Sequence, residues 1–227
     1  MLEFKNVNKN FGSIKALNDA SFQIDEGEFI FVTGPSGAGK TTLLRLLIRE
    51  YLPSSGEIIF EDQEIHNLKK KDIPKLRQNI GSVFQDFKLL PERTVKENIE
   101  VALAVKNITR DEWSDRVEHV LELVGLTERA GLFPSQISGG ELQRTALARA
   151  LVINPKLIFA DEPTGNLDWK TAESIVELLS KINDEGKTVI VTTHNREIVD
   201  KLGKRVIELE GGAIKRDTGK IKANKKG

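Results

Sequence analysis

Short apolar runs recur along the chain, each followed by a stretch whose apolar residues fall at helical spacing. The run EFIFVTG (28–34) ends in glycine, and GKTTLLRLLIRE (39–50) then sets Leu43, Leu44, Leu47 and Ile48 on one helical face. EIIFEDQEI (57–65) reads as strand on both sides of a turn. From Asp86 to Pro155 the pattern is mostly helical. Within it Trp113, Val117, Val120, Leu121 and Val124 form one amphipathic stripe, which reads as core rather than as a ligand site. Strand runs return at KLIFAD (156–161) and TVIVTTH (188–194), separated by the helix-like TAESIVELLSKIND. RVIELEGGAIKRD (205–217) closes the pattern as a hairpin about Gly211-Gly212. Strands separated by helices predict an α/β domain on a parallel sheet, with the helical middle inserted as a lobe.

Composition narrows the function classes. The 227 residues suffice for one large domain with a real core, and 34 basic residues balance 34 acidic ones. No overall bias toward nucleic acid or membrane follows. The last stretch, KRDTGKIKANKKG (215–227), is different, with six Lys/Arg against one Asp. It reads as a flexible, solvated basic tail, with contact to anionic lipid headgroups as the second reading. The absence of cysteine excludes disulfides and thiolate metal sites, and the three histidines are too far apart in sequence for zinc-type spacing. No apolar run approaches the roughly 18 residues of a membrane span. MLEFKNVNKNF carries no apolar signal core. The expectation is a soluble cytoplasmic chain.

GPSGAGKTT (34–42) fits the phosphate-loop pattern G-x-x-x-x-G-K-S/T, with a strand before it and a helix after. Gly34, Pro35, Ser36, Gly37, Ala38 and Gly39 form a loop whose backbone N–H groups can face one anion. The helix beginning at Lys40, Thr41 and Thr42 adds its positive end. Lys40 is placed for the β- and γ-phosphates and Thr41 for Mg²⁺, so the chain is expected to bind a nucleoside triphosphate with Mg²⁺.

LIFADEP (157–163) raises a separate question, because a core strand ends in two adjacent acids. Successive strand side chains point to opposite faces, and burying even one carboxylate is costly. A phosphate loop needs a carboxylate at the end of a neighbouring strand to hold Mg²⁺, which accounts for Asp161. Glu162, just past the strand, can turn to the γ-phosphate and accept a proton from the attacking water.

SGGELQRTALARAL (138–151) offers a second anion-binding helix start, with Ser138 as N-cap. SGGE lying between a phosphate loop and LIFADEP resembles the signature of ATP-binding-cassette ATPases, and the resemblance covers essentially the whole chain. It implies a P-loop NTPase of that type: a RecA-like core with an N-terminal antiparallel β subdomain (1–85 and 156–214 together) and an α-helical subdomain over about 86–155. The single domain would span 1–214. It also implies that Ser138, Gly139, Gly140 and Glu141 of one copy close over the γ-phosphate held by another, forming a homodimer on ATP binding. Gln85 matches the glutamine that senses Mg²⁺ and water. Asp168 in GNLD matches an interface aspartate, and His194 matches the histidine that contacts the γ-phosphate. Phe11 stands where the family usually stacks a tyrosine on adenine. Phenylalanine keeps the stacking face and loses the hydroxyl. Glu141 and Leu142 occupy positions where other members often carry glutamine.

FQDFKLLPERTVKENI (84–99), ADEPTGNLD and THNREIVDKLGKRVIELEGG together resemble the bacterial cell-division branch of the family. That branch implies a separate integral membrane subunit, docking near Gln85–Pro91 through Phe87, Leu89, Leu90 and Pro91, and control of cell-wall hydrolases. The chain would then sit peripherally on the inner face of the membrane. ATPases of lipoprotein release and macrolide-type export are the alternative branch. Members that act in DNA repair or chromosome maintenance carry long coiled coils that this chain lacks, so no nucleic acid is expected.

Overall fold

The computed structural model describes residues 1–219. It begins with β1 (Leu2–Phe11), β2 (Ile14–Ile24), β3 (Phe29–Thr33), α1 (Lys40–Leu47), β4 (Ser55–Phe60), β5 (Gln63–Glu64), α2 (Ile73–Gln78) and β6 (Ile80–Val83). Three helices follow, α3 (Val95–Lys106), α4 (Trp113–Val124) and α5 (Gly139–Leu151). The chain then continues through β7 (Leu157–Asp161), α6 (Trp169–Asp184), β8 (Thr188–Thr193), α7 (Arg196–Leu202), β9 (Arg205–Glu210) and β10 (Ala213–Asp217).

The strands form two sheets. One is antiparallel, in the order β2-β1-β4-β5. The other runs β10-β9-β3-β8-β7-β6 and is parallel except at the β9–β10 hairpin. A parallel sheet is stable only when both faces are covered, and alternate residues of its central strands show how that is met. Ile30, Val32, Leu157, Phe159 and Ile190 share a core with α1 and the antiparallel sheet. Phe31, Ile158, Ala160, Val189 and Val191 share the other core with α5, α6 and the three-helix lobe. The continuous apolar runs of β3, β7 and β8 are the sequence trace of that double burial.

In the lobe, the stripe expected on α4 is buried at Val117, Val120, Leu121 and Val124, while Trp113 packs half-buried at its edge. α3 starts with a reciprocal Thr94–Glu97 capping box. Behind it the fully buried Asn98 accepts from the Leu90 amide and donates to the carbonyls of Leu90, Arg93 and Thr94. One side chain thus fixes the chain entering α3.

The C-terminal hairpin spans the stretch the sequence suggests and so overlaps the start of the expected tail. β10 takes in Lys215, Arg216 and Asp217, the first residues of the expected tail. The reason is Arg205 on β9, which donates to both carboxylate oxygens of Asp217 (2.9 and 2.7 Å) and also reaches Glu28. Residues 220–227 of that tail lie outside the described residues. Among the described residues, no helix is long and apolar enough to cross a membrane.

Candidate active site

Residues 34–42 leave the C-terminal end of β3 and curl into α1, between β9 and β2. Glycine is required where the loop touches its neighbours. At Gly34 (φ 148°) a Cβ would stand 2.3 Å from the Leu209 carbonyl oxygen, and at Gly39 (φ 106°) 2.4 Å from that of Ala16. The loop forms one wall of a cleft of about 500 Å³. Ser36 to Thr42 line it together with Gln85, Glu162 and His194, and Ile14 and Ala16 of β2 close one side.

Lys40 is buried and donates from Nζ to the carbonyls of Gly34 (2.9 Å) and Pro35 (3.2 Å). The same ammonium lies 3.2 Å from Glu162 Oε1. Glu162 Oε2 meets His194 Nδ1 at 2.9 Å, so one carboxylate joins the loop lysine to an exposed histidine.

The two adjacent acids diverge as strand geometry requires. Asp161 ends β7 on the buried side, where Thr192 of the neighbouring strand donates to its Oδ1 at 2.7 Å. Glu162 breaks from the strand with a positive φ of 48°. Its amide donates to Thr192 Oγ1 at 2.8 Å. Thr192 therefore receives from the second acid's backbone while donating to the first acid's side chain. A non-glycine residue in the left-handed region costs about 1–2 kcal/mol, and here the strain aims the carboxylate into the cleft. The Gln85 amide nitrogen comes close enough to the turn after Glu162 that a Cβ on Gly165 would lie 3.1 Å from it.

The signature residues lie elsewhere. Ser138 caps α5, donating its hydroxyl to Glu141 Oε2 at 2.8 Å and accepting from the Glu141 amide. The Ser138 backbone N–H, its hydroxyl and Arg129 together pull the Glu141 carboxyl down to about 2. A Cβ on Gly140 would collide with Thr171 Cγ2 at 2.4 Å, and one on Gly139 would touch Leu167, so the signature packs on the GNLD segment and the first turn of α6 of its own chain. Asp168 caps α6, and the Thr171 hydroxyl and amide hold its carboxyl below the usual range. None of Ser138, Gly139, Gly140, Glu141 or Asp168 lines the cleft. Phe11 is exposed at the β1 end, with its ring edge-on to Tyr51 (centroids 5.1 Å apart) and Lys9 Nζ over it at 4.8 Å, and it too is outside the cleft lining. Of the four apolar residues expected at the docking loop, Phe87 and Leu89 pack half-buried on the lobe core, and Leu90 and Pro91 are exposed.

Glu141 supports a pH prediction. A carboxyl lowered from 4.5 to about 2 adds stability that is present above pH 4.5 and lost as pH falls toward 2. Glu141→Gln keeps a capping oxygen and loses the charge. Its denaturation midpoint is expected below the native one at pH 7, with the gap closing as pH is lowered from 4.5. A gap that does not depend on pH would contradict the assignment.

A strand ending in a phosphate loop, a second strand ending in paired acids, and a glycine-led helix start on an inserted lobe define the class. The family model described as "ABC transporter" matches residues 17–165. The chain belongs to the ABC transporter ATPase family and is an ATP-hydrolysing enzyme of that type. Among curated proteins it is similar to the "Cell division ATP-binding protein FtsE" of Bacillus subtilis, 48% identical over 218 residues covering 96% of both chains. The proteins of that name from Mycobacterium tuberculosis and Escherichia coli K12 are 45% and 41% identical, each covering at least 94% of both chains. Among solved structures it is similar to the dimeric ATP-binding cassette MJ0796 in a post-hydrolysis state with ADP and Pi. That match has a TM-score of 0.87 and 39% identity, and covers 96% of this chain and 97% of that one.

Proposed function

We propose that this chain is the ATPase subunit of a bacterial cell-division complex, driving an integral membrane partner of FtsX type that controls cell-wall hydrolysis. The observation that carries the enzymatic part is the Glu162 carboxylate held between Lys40 and His194 at the mouth of the phosphate-loop cleft. The cell-division part is supported by near-full-length similarity to proteins named FtsE. A lipoprotein-release or macrolide-type export partner is the competing assignment, since those branches share ADEPTGNLD.

In this reading Gly34 to Thr42 wrap the phosphates of ATP, and Lys40 exchanges Glu162 for phosphate oxygens. Thr41, Gln85 and Asp161 would hold Mg²⁺. Their hard oxygen donors fit that ion, and no group of three acidic or histidine ligands exists among the described residues, as suits an ion completed by phosphate and water. When bound, Mg²⁺ neutralises charge on the β- and γ-phosphates. Glu162, released from Lys40 and steadied by His194, takes the proton of the attacking water. Phe11 offers a face for adenine. Ser138, Gly139, Gly140 and Glu141 lie away from their own cleft, and they serve the γ-phosphate bound by a second copy, with Asp168 at the interface. The homodimeric assembly of MJ0796 supports that arrangement. The chain works in the cytoplasm, held at the membrane by its partner near Gln85–Pro91. Leu90 and Pro91 give that loop its exposed apolar surface, and an apolar groove lined by Ala102, Val105 and Ile153 adds a second.

Tagged Glu162→Gln expressed in its native cells and extracted gently with Mg-ATP should co-purify with a four-span membrane protein of FtsX type. Recovery of an export or lipoprotein-release permease instead would overturn the division assignment.

A further inference from the structure

The loop between β6 and α3 is held by two side chains of the helical lobe. Asn98 secures its second half, as described above. Its first half is held by Arg149, near the end of α5, which donates from Nη1 to the Lys88 carbonyl at 2.7 Å and from Nη2 to the Phe87 carbonyl at 2.8 Å. Phe87 and Lys88 both have positive φ, 59° and 50°, a conformation that persists only where the surroundings enforce it. The planar guanidinium fork holds the two successive carbonyls from separate nitrogens in a fixed geometry, whereas an ammonium is a point charge on a flexible stem. Burial pushes the Arg149 pKa down, and no carboxylate raises it again. Among the described residues this half-buried cation is hydrogen-bonded to neutral carbonyls, and both of those carbonyls belong to the strained pair Phe87 and Lys88.

α5 runs without interruption from the Ser138 cap past Arg149 to Leu151. The two residues are eleven positions apart, about 16 Å at the helical rise per residue. Near its far end α5 presses on β6, where a Cβ on Gly81 would lie 3.2 Å from the Ala150 carbonyl oxygen. Gln85 lies two residues before the first clamped carbonyl.

We propose that Arg149 is a positioning residue whose clamp on Phe87 and Lys88 makes the loop after Gln85 and the helix that begins at Ser138 move as one body. A push on that loop is then delivered to Ser138. In the other direction, engagement of Ser138 by a nucleotide sets the position of Gln85. The inference rests on the proposed roles of Ser138 and Gln85 at the γ-phosphate and adds the mechanical link between them.

The test uses Arg149→Met, which keeps the aliphatic stem, and Arg149→Lys, which keeps the charge, each in the full chain. ATP affinity is expected within about twofold of native for both, because the phosphate loop is untouched. kcat is expected to fall at least about tenfold in Arg149→Met and less in Arg149→Lys, the scale on which small misplacements of reacting groups act. Hydrogen exchange should quicken in the peptide spanning 86–91 and stay unchanged at the start of α5. An unchanged kcat overturns the proposal. So does a loss of kcat matched by equal losses of ATP affinity and melting temperature, which would make Arg149 merely structural. Failure of the underlying reading shows separately, as Glu162→Gln that does not dimerise with ATP while Arg149 is intact.

Discussion

Glu162→Gln is expected to turn over ATP about 10²–10⁴-fold more slowly than the native chain, the range by which a positioned general base accelerates proton transfer. The substitution preserves shape. Glutamine retains an oxygen for the Lys40 ammonium and can still hydrogen-bond His194, so the cleft keeps its lining. What disappears is the capacity to take a proton. Mg-ATP binding should survive, because the phosphate loop, Thr41 and Asp161 are unaltered. Phosphate release at saturating ATP, measured beside equilibrium nucleotide binding, separates the two effects. Turnover near the native rate would remove Glu162 from the role of base. A parallel collapse of binding would make it a ligand for nucleotide instead.

Gly39→Ala is expected to abolish measurable ATP binding and to destabilise the fold by about 3 kcal/mol, combining left-handed strain with overpacking. The added methyl would stand 2.4 Å from the Ala16 carbonyl oxygen and 2.9 Å from Leu17 Cδ2, both on β2. Either the loop or β2 must shift, and Ala16 itself lines the cleft. Gly37→Ala is the control. Gly37 also has a positive φ, 79°, but nothing lies within 4 Å of its would-be Cβ. It should cost only the backbone strain, about 1–2 kcal/mol, and leave ATP binding detectable. Chemical denaturation and nucleotide binding on the pair provide the check. Equal effects at both positions would show that conformation, not contact with β2, dictates glycine at Gly39.

The parallel strands were legible because burial on both faces leaves an unbroken apolar run, as in FIFVT and LIFAD. The N-terminal strands carry no such mark. β1 is solvated in part, and its pairing with β2 shifts register between Phe4 and Val7 and again before Lys9, which breaks the period-two pattern of Leu2, Phe4 and Val7. That region was anticipated from family resemblance rather than from periodicity. In the site, the residues contiguous in sequence were readable as motifs. Those supplied by distant strands were not. Thr192 is one of two threonines ending an apolar run, and nothing local says that it bridges Asp161 and Glu162. Ile14 and Ala16 enter the cleft only because β2 folds over the phosphate loop. The loop proposed for docking divided for a similar reason. Phe87 and Leu89 turn to the lobe core while Leu90 and Pro91 face solvent, and sequence gives these neighbours the same apolar character. Arg149 was hidden most completely, since its partners are backbone carbonyls some sixty residues earlier.

A clamp in which two copies close on ATP and hydrolysis at Glu162 reopens them is the central proposal. Its most direct test is the solution mass of Glu162→Gln by light scattering, with and without Mg-ATP. A chain of 25.3 kDa is expected to double in mass on adding Mg-ATP and to return when nucleotide is removed. A mass that stays at 25.3 kDa at high protein concentration and saturating ATP would contradict it.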